Sequence, residues 1–282
     1  MFFVKKAFDF FIFTSLFIAC CAVLMVYQTS LLFAINVPFA LYAFVFSGSV
    51  CSYNLHWYLT PPHVSEGRHK IKWNLSNRSI HLVLFIVGLI GAATTCFLLI
   101  EHWLWLGFTA FFTFMYSAPL IDHPFTIWLR KIAIGKTIFL ALAWTHVTTL
   151  LPLLIAGGKL QAEHIWFIVN RFFFIYAICI VFDRRDIERD REAGIKSLIT
   201  YLSAKGVDKL FWSSLVIVLL TTFVLSKWLA TIDLIILLIP ALIMGLLYRH
   251  SKENLSDYLY YFLLDGLMAL SAPMLILAKF AR

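Results

Sequence analysis

The sequence predicts an all-α integral membrane protein with about nine transmembrane helices. Of its 282 residues, 62% are hydrophobic and only 13% are charged, whereas about a quarter of the residues in an ordinary soluble domain are charged. Continuously apolar runs of about 20 residues, the length that crosses a bilayer as a helix, recur along the chain. They lack the alternation of apolar and polar residues that is typical of membrane β-strands.

Nine apolar runs define the predicted helices, and each is long enough to cross the hydrocarbon core. The links between the first and second runs, and between the third and fourth, are short, so those boundaries are loosely defined. The runs lie near 7–27, 31–52, 80–100, 102–121, 132–155, 164–182, 208–228, 231–248 and 258–279. We expect them to form one transmembrane domain that covers 1–282.

The distribution of basic residues predicts the orientation in the membrane. If the helices alternate from a cytoplasmic N-terminus, 18 of the 23 Lys and Arg residues fall on the cytoplasmic side, as the positive-inside rule requires. Cytoplasmic loops are then expected near 53–79, 120–131, 183–207 and 249–257, at the inner membrane if the protein is bacterial. Topology and anionic lipid headgroups explain the net charge of +8, so no nucleic-acid partner is needed.

The densest charged run, FDRRDIERDREAGIKSL at 182–198, follows the sixth apolar run directly. If the sixth helix continues through it, Asp183, Asp186 and Asp190 fall on one helical face, whereas Arg184 and Arg185 point elsewhere. Three like charges on one face repel each other, so a cation is expected to hold them together.

Two interpretations of this run remain open on spacing alone. The first is a solvated helix end in which arginines pair with the acids, as in most charged runs. The second is a Mg²⁺ site, because Mg²⁺ typically binds one or two carboxylates together with substrate phosphates. Nearby basic residues such as Arg184 and Lys196 would then bind a diphosphate.

The pattern from Asp183 to Leu198, D-x-x-D-x-x-x-D-x-x-x-G-x-x-S-L, resembles the second aspartate-rich motif of the UbiA superfamily of intramembrane prenyltransferases. The usual motif ends in T-L and follows the sixth of nine helices, as here. The sequence YSAPL at 116–120, which begins with Tyr116 and is followed by Arg130 and Lys131, is similar to that family's Tyr-x-x-Pro and basic segment.

The resemblance implies a helical bundle around a lipid-embedded cavity and a role in quinone or isoprenoid lipid metabolism. It implies that Mg²⁺, held by Asp183, Asp186 and Asp190 as catalytic ligands, binds a polyprenyl diphosphate. The prenyl group would pass to an aromatic or other lipophilic acceptor. A divalent metal and fixed cations stabilise the negative charge on the departing diphosphate.

The region after the second apolar run departs from the family's first motif, N-D-x-x-D-x-x-x-D. Asn54 matches the leading Asn, but Leu55, Tyr58 and Pro62 stand at the aspartate positions. No Asp occurs between residues 10 and 121. The metal cluster that this motif builds in the family is therefore absent.

Three explanations of this departure remain open. In the first, the protein uses one metal, and His56, Arg68, Lys70 or Lys72 takes over charge neutralisation. In the second, it transfers another group or acts on another lipid. In the third, it binds an isoprenoid or quinone without turnover. The candidate substrate-binding residues are Asn54, His56, Lys70, Lys72, Tyr116, Arg130, Lys131, Lys136, Arg184 and Lys196. Among these, a lone His beside aromatic residues at a membrane interface more often has a packing role.

A transporter is the rival class. Arg171 and Asp265 lie within apolar runs, and intramembrane charges often mark a transport pathway. Transport would favour internal repeats or helices broken at matching positions. The sequence shows no convincing repeat, so the enzyme and the non-catalytic binding protein remain the stronger hypotheses.

Overall fold

The computed structural model describes residues 2–60, 69–117, 135–157, 159–192 and 198–280. All regular secondary structure in these ranges is helical, which confirms the predicted all-α class. Arg130, Lys131 and Lys196 lie outside the described residues. The side chains of Tyr116, Lys136 and Asp190 also lie outside the description, although their backbones belong to helices.

Thirteen α-helices occur within the described ranges. They are α1 (Phe2–Phe13), α2 (Leu16–Phe33), α3 (Phe39–Leu59), α4 (His69–Ser76), α5 (Arg78–Leu98), α6 (Trp103–Ser117), α7 (Gly135–Thr145), α8 (Leu151–Ile155), α9 (Ala162–Glu192), α10 (Leu198–Tyr201), α11 (Ala204–Leu225), α12 (Thr231–Glu253) and α13 (Asp265–Phe280). A 3₁₀ turn at Ile100–His102 precedes α6, and two π-helical segments, His146–Leu150 and Leu259–Leu264, precede α8 and α13.

Seven helical stretches in the described residues are long and apolar enough to cross a membrane. They are Leu16–Phe33, Arg78–Leu98, Thr137–Ile155, Ala162–Glu188, Ala204–Leu225, Thr231–Glu253 and Leu259–Phe280. The other two predicted spans correspond to α3 and α6, so nine is an approximate count. Helix α3 carries several polar residues in its C-terminal half, and α6 has only 15 residues.

The sequence predicts one continuous helix over 7–27, but the structure has two helices in this run. The helix is interrupted at Thr14 and Ser15, and Ser15 adopts a left-handed conformation with φ of 64°. The break is stabilised because the carbonyl of Thr14 accepts a hydrogen bond from Asn54 Nδ2 at 3.0 Å. Helix α2 then extends to Phe33, beyond the predicted end of the run.

Two predicted loops are largely helical in the residues that the structure describes. Helix α9 continues to Glu192, so the aspartate-rich run is helical as far as that residue. The backbone therefore confirms the predicted continuation of the sixth helix through the three aspartates. In the predicted 53–79 loop, α3 extends to Leu59, α4 follows, and α5 begins at Arg78.

Small residues allow α3 and α5 to pack closely. A Cβ atom on Gly88 would lie 2.6 Å from the backbone nitrogen of Cys51. Gly91 faces Ser47 in the same interface. Small residues are the usual solution where transmembrane helices pack backbone to backbone.

Buried polar residues connect the long helices. Arg171 in α9 donates to Gln28 Oε1 in α2 at 2.8 Å, and Gln28 Nε2 donates to Ser271 in α13 at 2.6 Å. Asn170 donates to the carbonyl of Val218 in α11 at 2.9 Å. Such bonds are worth about 0.6–2 kcal/mol each in membranes. Arg171 therefore takes part in the hydrogen-bonded contact between α9 and α2.

Candidate functional site

A cavity of about 110 Å³ lies where α1, α2, α3, α4, α7, α9 and the last helix meet. One part of its wall is apolar. It is formed by Ile18, Leu140, Trp144, Ile175, Ile178 and Met268, among others. The remaining wall carries charged side chains from three helices. The cavity therefore suits a ligand with a charged head and an apolar tail.

Two carboxylates from the aspartate-rich run line the cavity. Asp183 and Asp186 lie about one turn apart on α9, and each residue is only 7% exposed. Thr137 in α7 donates its hydroxyl to Asp183 Oδ2. Arg185 Nε donates to Asp186 Oδ1 at 3.1 Å. Both carboxylates are thus oriented by neighbours on well-packed helices.

Arg185 provides a fixed cation beside these carboxylates. Its side chain is 0% exposed, and its Nη2 donates to the hydroxyl of Tyr261 at 2.7 Å. Its Nη1 lies 3.9 Å from Asp257 Oδ1, and its guanidinium lies 4.2 Å from the Tyr260 ring centroid. The helical phase had suggested that Arg185 points away from the aspartates, but the long side chain reaches sideways into the cavity wall.

Arg184 belongs to a polar network outside the cavity wall. Its Nη1 lies 3.2 Å from Asp208 in α11, which also accepts hydrogen bonds from Tyr248 at 2.5 Å and Lys252 at 2.7 Å. This network links α9, α11 and α12. Arg184 does not line the cavity, so the structure gives no support to its predicted role in substrate binding.

Lys70 provides a second cation in the cavity wall. Its Nζ lies 3.5 Å from the ring centroid of Tyr261 and 4.7 Å from that of Trp57. Its backbone N–H donates to Asp257 Oδ2 at 2.7 Å. Burial lowers the pKa of Lys70 to about 7, although Asp265 and Asp257 oppose this effect. An amine in this position can change charge near neutral pH.

The other described candidates fall into two groups. His56 lines the cavity, with its ring 5.9 Å from that of Trp57. Asn54 is fully buried outside the cavity wall, where it donates to the carbonyls of Thr14 and Val50. Lys72 is exposed on α4 and does not line the cavity. The structure therefore places Asn54 in the packing between helices and Lys72 at the surface, both outside the cavity wall.

Asp183 and Asp186 fit Mg²⁺ together with a ligand that supplies further oxygen atoms. Among the side chains that the structure describes, no group of three or more His, Cys, Asp or Glu residues is placed to hold a metal ion. Asp183 and Asp186 nevertheless face one cavity. Because Mg²⁺ commonly binds one or two carboxylates together with phosphate oxygens and water, this pair suits a metal bound with a diphosphate.

The structure adds cavity residues that the sequence analysis did not include among the site candidates. Ser15, Arg185, Tyr261 and Asp265 all line the cavity. A partial signal existed in the last helix, because Tyr261, Asp265 and Met268 recur at helical spacing. No signal pointed to Ser15, which lies there because the first apolar run is broken.

Comparisons with known proteins are consistent with this geometry. The profile described as "UbiA prenyltransferase family" matches residues 67–264. The apo structure of a UbiA homolog from Aeropyrum pernix K1 superimposes with a TM-score of 0.64 at 13% identity, covering 95% of this chain and 97% of that chain. None of the curated proteins matches the sequence.

A UbiA homolog from Archaeoglobus fulgidus has the same fold in two structures. Bound to Cd²⁺, it gives a TM-score of 0.63 at 15% identity, with 95% of this chain and 99% of that chain covered. Bound to GPP and Mg²⁺, it gives a TM-score of 0.60 with the same identity and coverage. At such identities the similarity establishes the arrangement of the helices.

Proposed function

The chain belongs to the UbiA prenyltransferase family, and on this basis we propose that it transfers a prenyl group from a polyprenyl diphosphate to an aromatic or other lipophilic acceptor. Family membership supports prenyltransferase activity in general. The A. fulgidus homolog that binds GPP and Mg²⁺ supports a prenyl diphosphate as donor and Mg²⁺ as the metal.

One observation carries the proposal. Asp183 and Asp186, the first two acids of the family motif, line the same cavity as Lys70 and Arg185, next to a largely apolar wall. Carboxylates bind a diphosphate only through a metal ion, whereas Lys and Arg contact phosphate oxygens directly. The cavity therefore combines both means of holding a diphosphate with a surface for its hydrocarbon tail.

In this proposal, different residues of the chain bind the metal, bind the phosphate oxygens and stabilise the prenyl cation. Asp183 and Asp186 would hold Mg²⁺, which supplies charge neutralisation for the leaving diphosphate. Lys70 and Arg185 would contact the phosphate oxygens and fix their position. Trp144 and Tyr53, joined by a hydrogen bond of 3.0 Å, lie in the wall. Their rings can stabilise a developing allylic cation and exclude water.

The altered first motif is explained by fixed cations in this proposal. Leu55 and Tyr58 stand where the family has aspartates, while Lys70 enters the cavity from α4. A monovalent cation stabilises a departing diphosphate less than a divalent metal does. We therefore expect slow turnover, or a donor whose leaving group requires less stabilisation.

The apolar helices and the family indicate an integral membrane protein. We further propose that 1–282 form one domain and that the N-terminus and the aspartate-rich helix end face the cytoplasm, where a diphosphate is available. Reporter fusions after residues 70, 125, 195 and 253 should all report the cytoplasmic side. Two or more signals from the opposite side would refute this topology.

A paired substitution on α9 tests the function. Purified protein in detergent is assayed with Mg²⁺, geranyl, farnesyl or geranylgeranyl diphosphate, and a panel of phenolic and quinol acceptors. Asp186→Asn should abolish transfer and diphosphate release. Glu188→Gln, an exposed acid on the same helix, should have little effect. Equal activity of both variants and wild type would show that the aspartates are only a charged helix end.

Non-catalytic binding of an isoprenoid or quinone is the second candidate function. It is favoured by one observation, the presence of Leu55, Tyr58 and Pro62 at the aspartate positions of the family's first motif. The same assay separates the two functions. Binding of a prenyl diphosphate by the wild-type protein without any turnover across the acceptor panel would favour the binding protein.

A further inference from the structure

Asp265 is an acidic residue in the cavity wall that the proposed steps of donor binding do not use. It begins α13 and lines the same cavity as Asp183 and Asp186. A carboxylate within a membrane helix is costly, and such residues usually face a cavity and serve a function. Arg171, another charge in an apolar span, is instead bound to Gln28.

Asp265 differs from the other acids around the cavity in its bonding. Asp183 accepts a bond from Thr137, Asp186 from Arg185, and Asp257 from the backbone of Lys70. Within the described part of the chain, Asp265 makes neither a hydrogen bond nor an ion pair within 4 Å. Its carboxylate oxygens therefore remain available to a ligand in the cavity.

Two cations of the cavity wall, Lys70 and Arg185, form the electrostatic environment of Asp265. It interacts electrostatically with both Lys70 and Arg185. These two cations lie against the Tyr261 ring, 3.5 Å and 4.7 Å from its centroid. Tyr261 and Asp265 are about one helical turn apart and both line the cavity. Asp265 thus shares the cavity wall with the cations that the proposed function assigns to the diphosphate.

The local helix geometry supports a role for this position. A π-helical segment, Leu259–Leu264, ends immediately before Asp265. Such segments are rare and frequently occur at functional sites, because the wider turn changes which side chains face inwards. Here Tyr261, which accepts a hydrogen bond from Arg185, belongs to the π-helical segment, and Asp265 begins the α-helix that follows.

We propose that Asp265 accepts the proton that the acceptor loses during prenyl transfer; this inference rests on the proposed function. The bond between C1 of the prenyl group and the diphosphate oxygen breaks, and its electron pair leaves with the diphosphate. C1 forms a bond to a ring carbon or a hydroxyl oxygen of the acceptor. The hydrogen on that atom passes as a proton to a carboxylate oxygen of Asp265, which restores the neutral product.

This assignment predicts the class of acceptor. It must carry a hydrogen on the atom that is prenylated, as phenols and electron-rich aromatic rings do. Asp183 and Asp186 are poor candidates for the proton acceptor because metal and diphosphate would occupy their oxygens. His56 is another group in the wall that can accept a proton, and it therefore belongs in the test.

The experiment separates donor ionisation from proton removal. An oxygen-18 label in the bridging position of a prenyl diphosphate scrambles into non-bridging positions when the donor ionises reversibly, and this is measured without acceptor. Transfer is measured with a phenolic acceptor. Asp265→Asn should keep donor binding within about threefold and keep label scrambling, but lose transfer by about 10²–10⁴-fold, the usual contribution of a general base. Asp265→Glu should recover part of the transfer.

Controls make each outcome decisive. Asp233→Asn, at another buried acid in the first turn of a membrane helix, should change neither reaction, and size-exclusion profiles confirm folding of every variant. The inference is overturned if Asp265→Asn transfers at the wild-type rate, if it loses scrambling and binding together with transfer, or if only His56→Asn loses transfer selectively. Absence of both scrambling and transfer in wild type would instead refute the proposed function, and this inference with it.

Discussion

The Nζ atom of Lys70 lies 3.5 Å from the centroid of the Tyr261 ring. The hydroxyl of the same tyrosine accepts a hydrogen bond of 2.7 Å from Arg185. One aromatic residue thus orients two cations that come from different helices, α4 and α9. Cation–π contacts gain strength when they are desolvated, as here. The position of the two cations in the cavity depends on this shared partner.

Lys70 should contribute directly to donor affinity. Lys70→Met keeps most of the length of the side chain and removes its charge. Hydrogen bonds to charged groups are worth about 1.5–3 kcal/mol, so the Kd for a prenyl diphosphate should rise by about 10- to 100-fold at about pH 6.5. The matched control is Lys72→Met on the exposed side of α4, which should leave the Kd nearly unchanged. Equal effects of the two substitutions would contradict a specific role for Lys70.

Donor affinity should also depend on pH through Lys70. Burial lowers the pKa of Lys70 to about 7. Below this pH the amine is already charged in the free protein, and it adds no pH dependence. Above it, the neutral amine must take up a proton when the anion binds, so affinity should fall by up to about tenfold per pH unit.

Titration calorimetry in buffers of different ionisation enthalpy measures this proton uptake. Lys70→Arg keeps the charge at all accessible pH values, because a guanidinium is effectively always protonated. The variant should therefore show a flatter profile above pH 7 than wild type. A profile that is equally steep in both proteins would assign the pH dependence to the diphosphate itself.

The fold could be predicted largely from the sequence, because continuous apolar runs are a strong signal for membrane helices. The break at Ser15 could not, since no Gly or Pro marks it. It depends on a hydrogen bond from Asn54, 40 residues away in sequence, to the carbonyl of Thr14. Local patterns do not report such tertiary contacts.

The site could be predicted only in part. Helical spacing placed Asp183 and Asp186 on one face, and both line the cavity. The same argument places Arg185 off this face, although its side chain lines the cavity. Helical spacing describes the direction of Cβ and not the reach of a long side chain. It also could not separate Lys70 from Lys72, since the packing of α4 decides which of the two is buried.

Asn54 should contribute to stability more than to donor binding. It donates to the carbonyls of Thr14 and Val50, and its Oδ1 lies 2.7 Å from His81 Nδ1. Asn54→Leu leaves buried partners unsatisfied, at a cost of about 1–3 kcal/mol. A melting temperature roughly 5 °C lower is expected in detergent.

The control for Asn54 is a second buried asparagine. Neither amide atom of Asn74 has a hydrogen-bond partner in the described part of the chain, so Asn74→Leu should be neutral or stabilising. Donor affinity of folded Asn54→Leu should stay within about threefold of wild type. A large loss of affinity without a loss of stability would restore Asn54 as a binding residue.

Gly88 should tolerate no side chain, because its packing is set by backbone atoms. A Cβ added there would lie 2.6 Å from the backbone nitrogen of Cys51 and 2.9 Å from the carbonyl oxygen of Ser47. Backbone cannot move aside as a flexible side chain can, so α3 and α5 must separate. Overpacking of this kind costs about 1–3 kcal/mol, and Gly88→Ala should melt several degrees below wild type.

Gly107 in α6 gives the matched comparison, since nothing lies within 4 Å of a Cβ added there. Ala in a helix interior is favoured over Gly by about 1 kcal/mol, so Gly107→Ala should be neutral or more stable. Because α3 also carries the cavity residues Tyr53, His56 and Trp57, separation of α3 from α5 should weaken donor binding in Gly88→Ala as well. Melting curves and donor Kd values that are the same for both variants would show that the α3–α5 contact is looser than the structure has it.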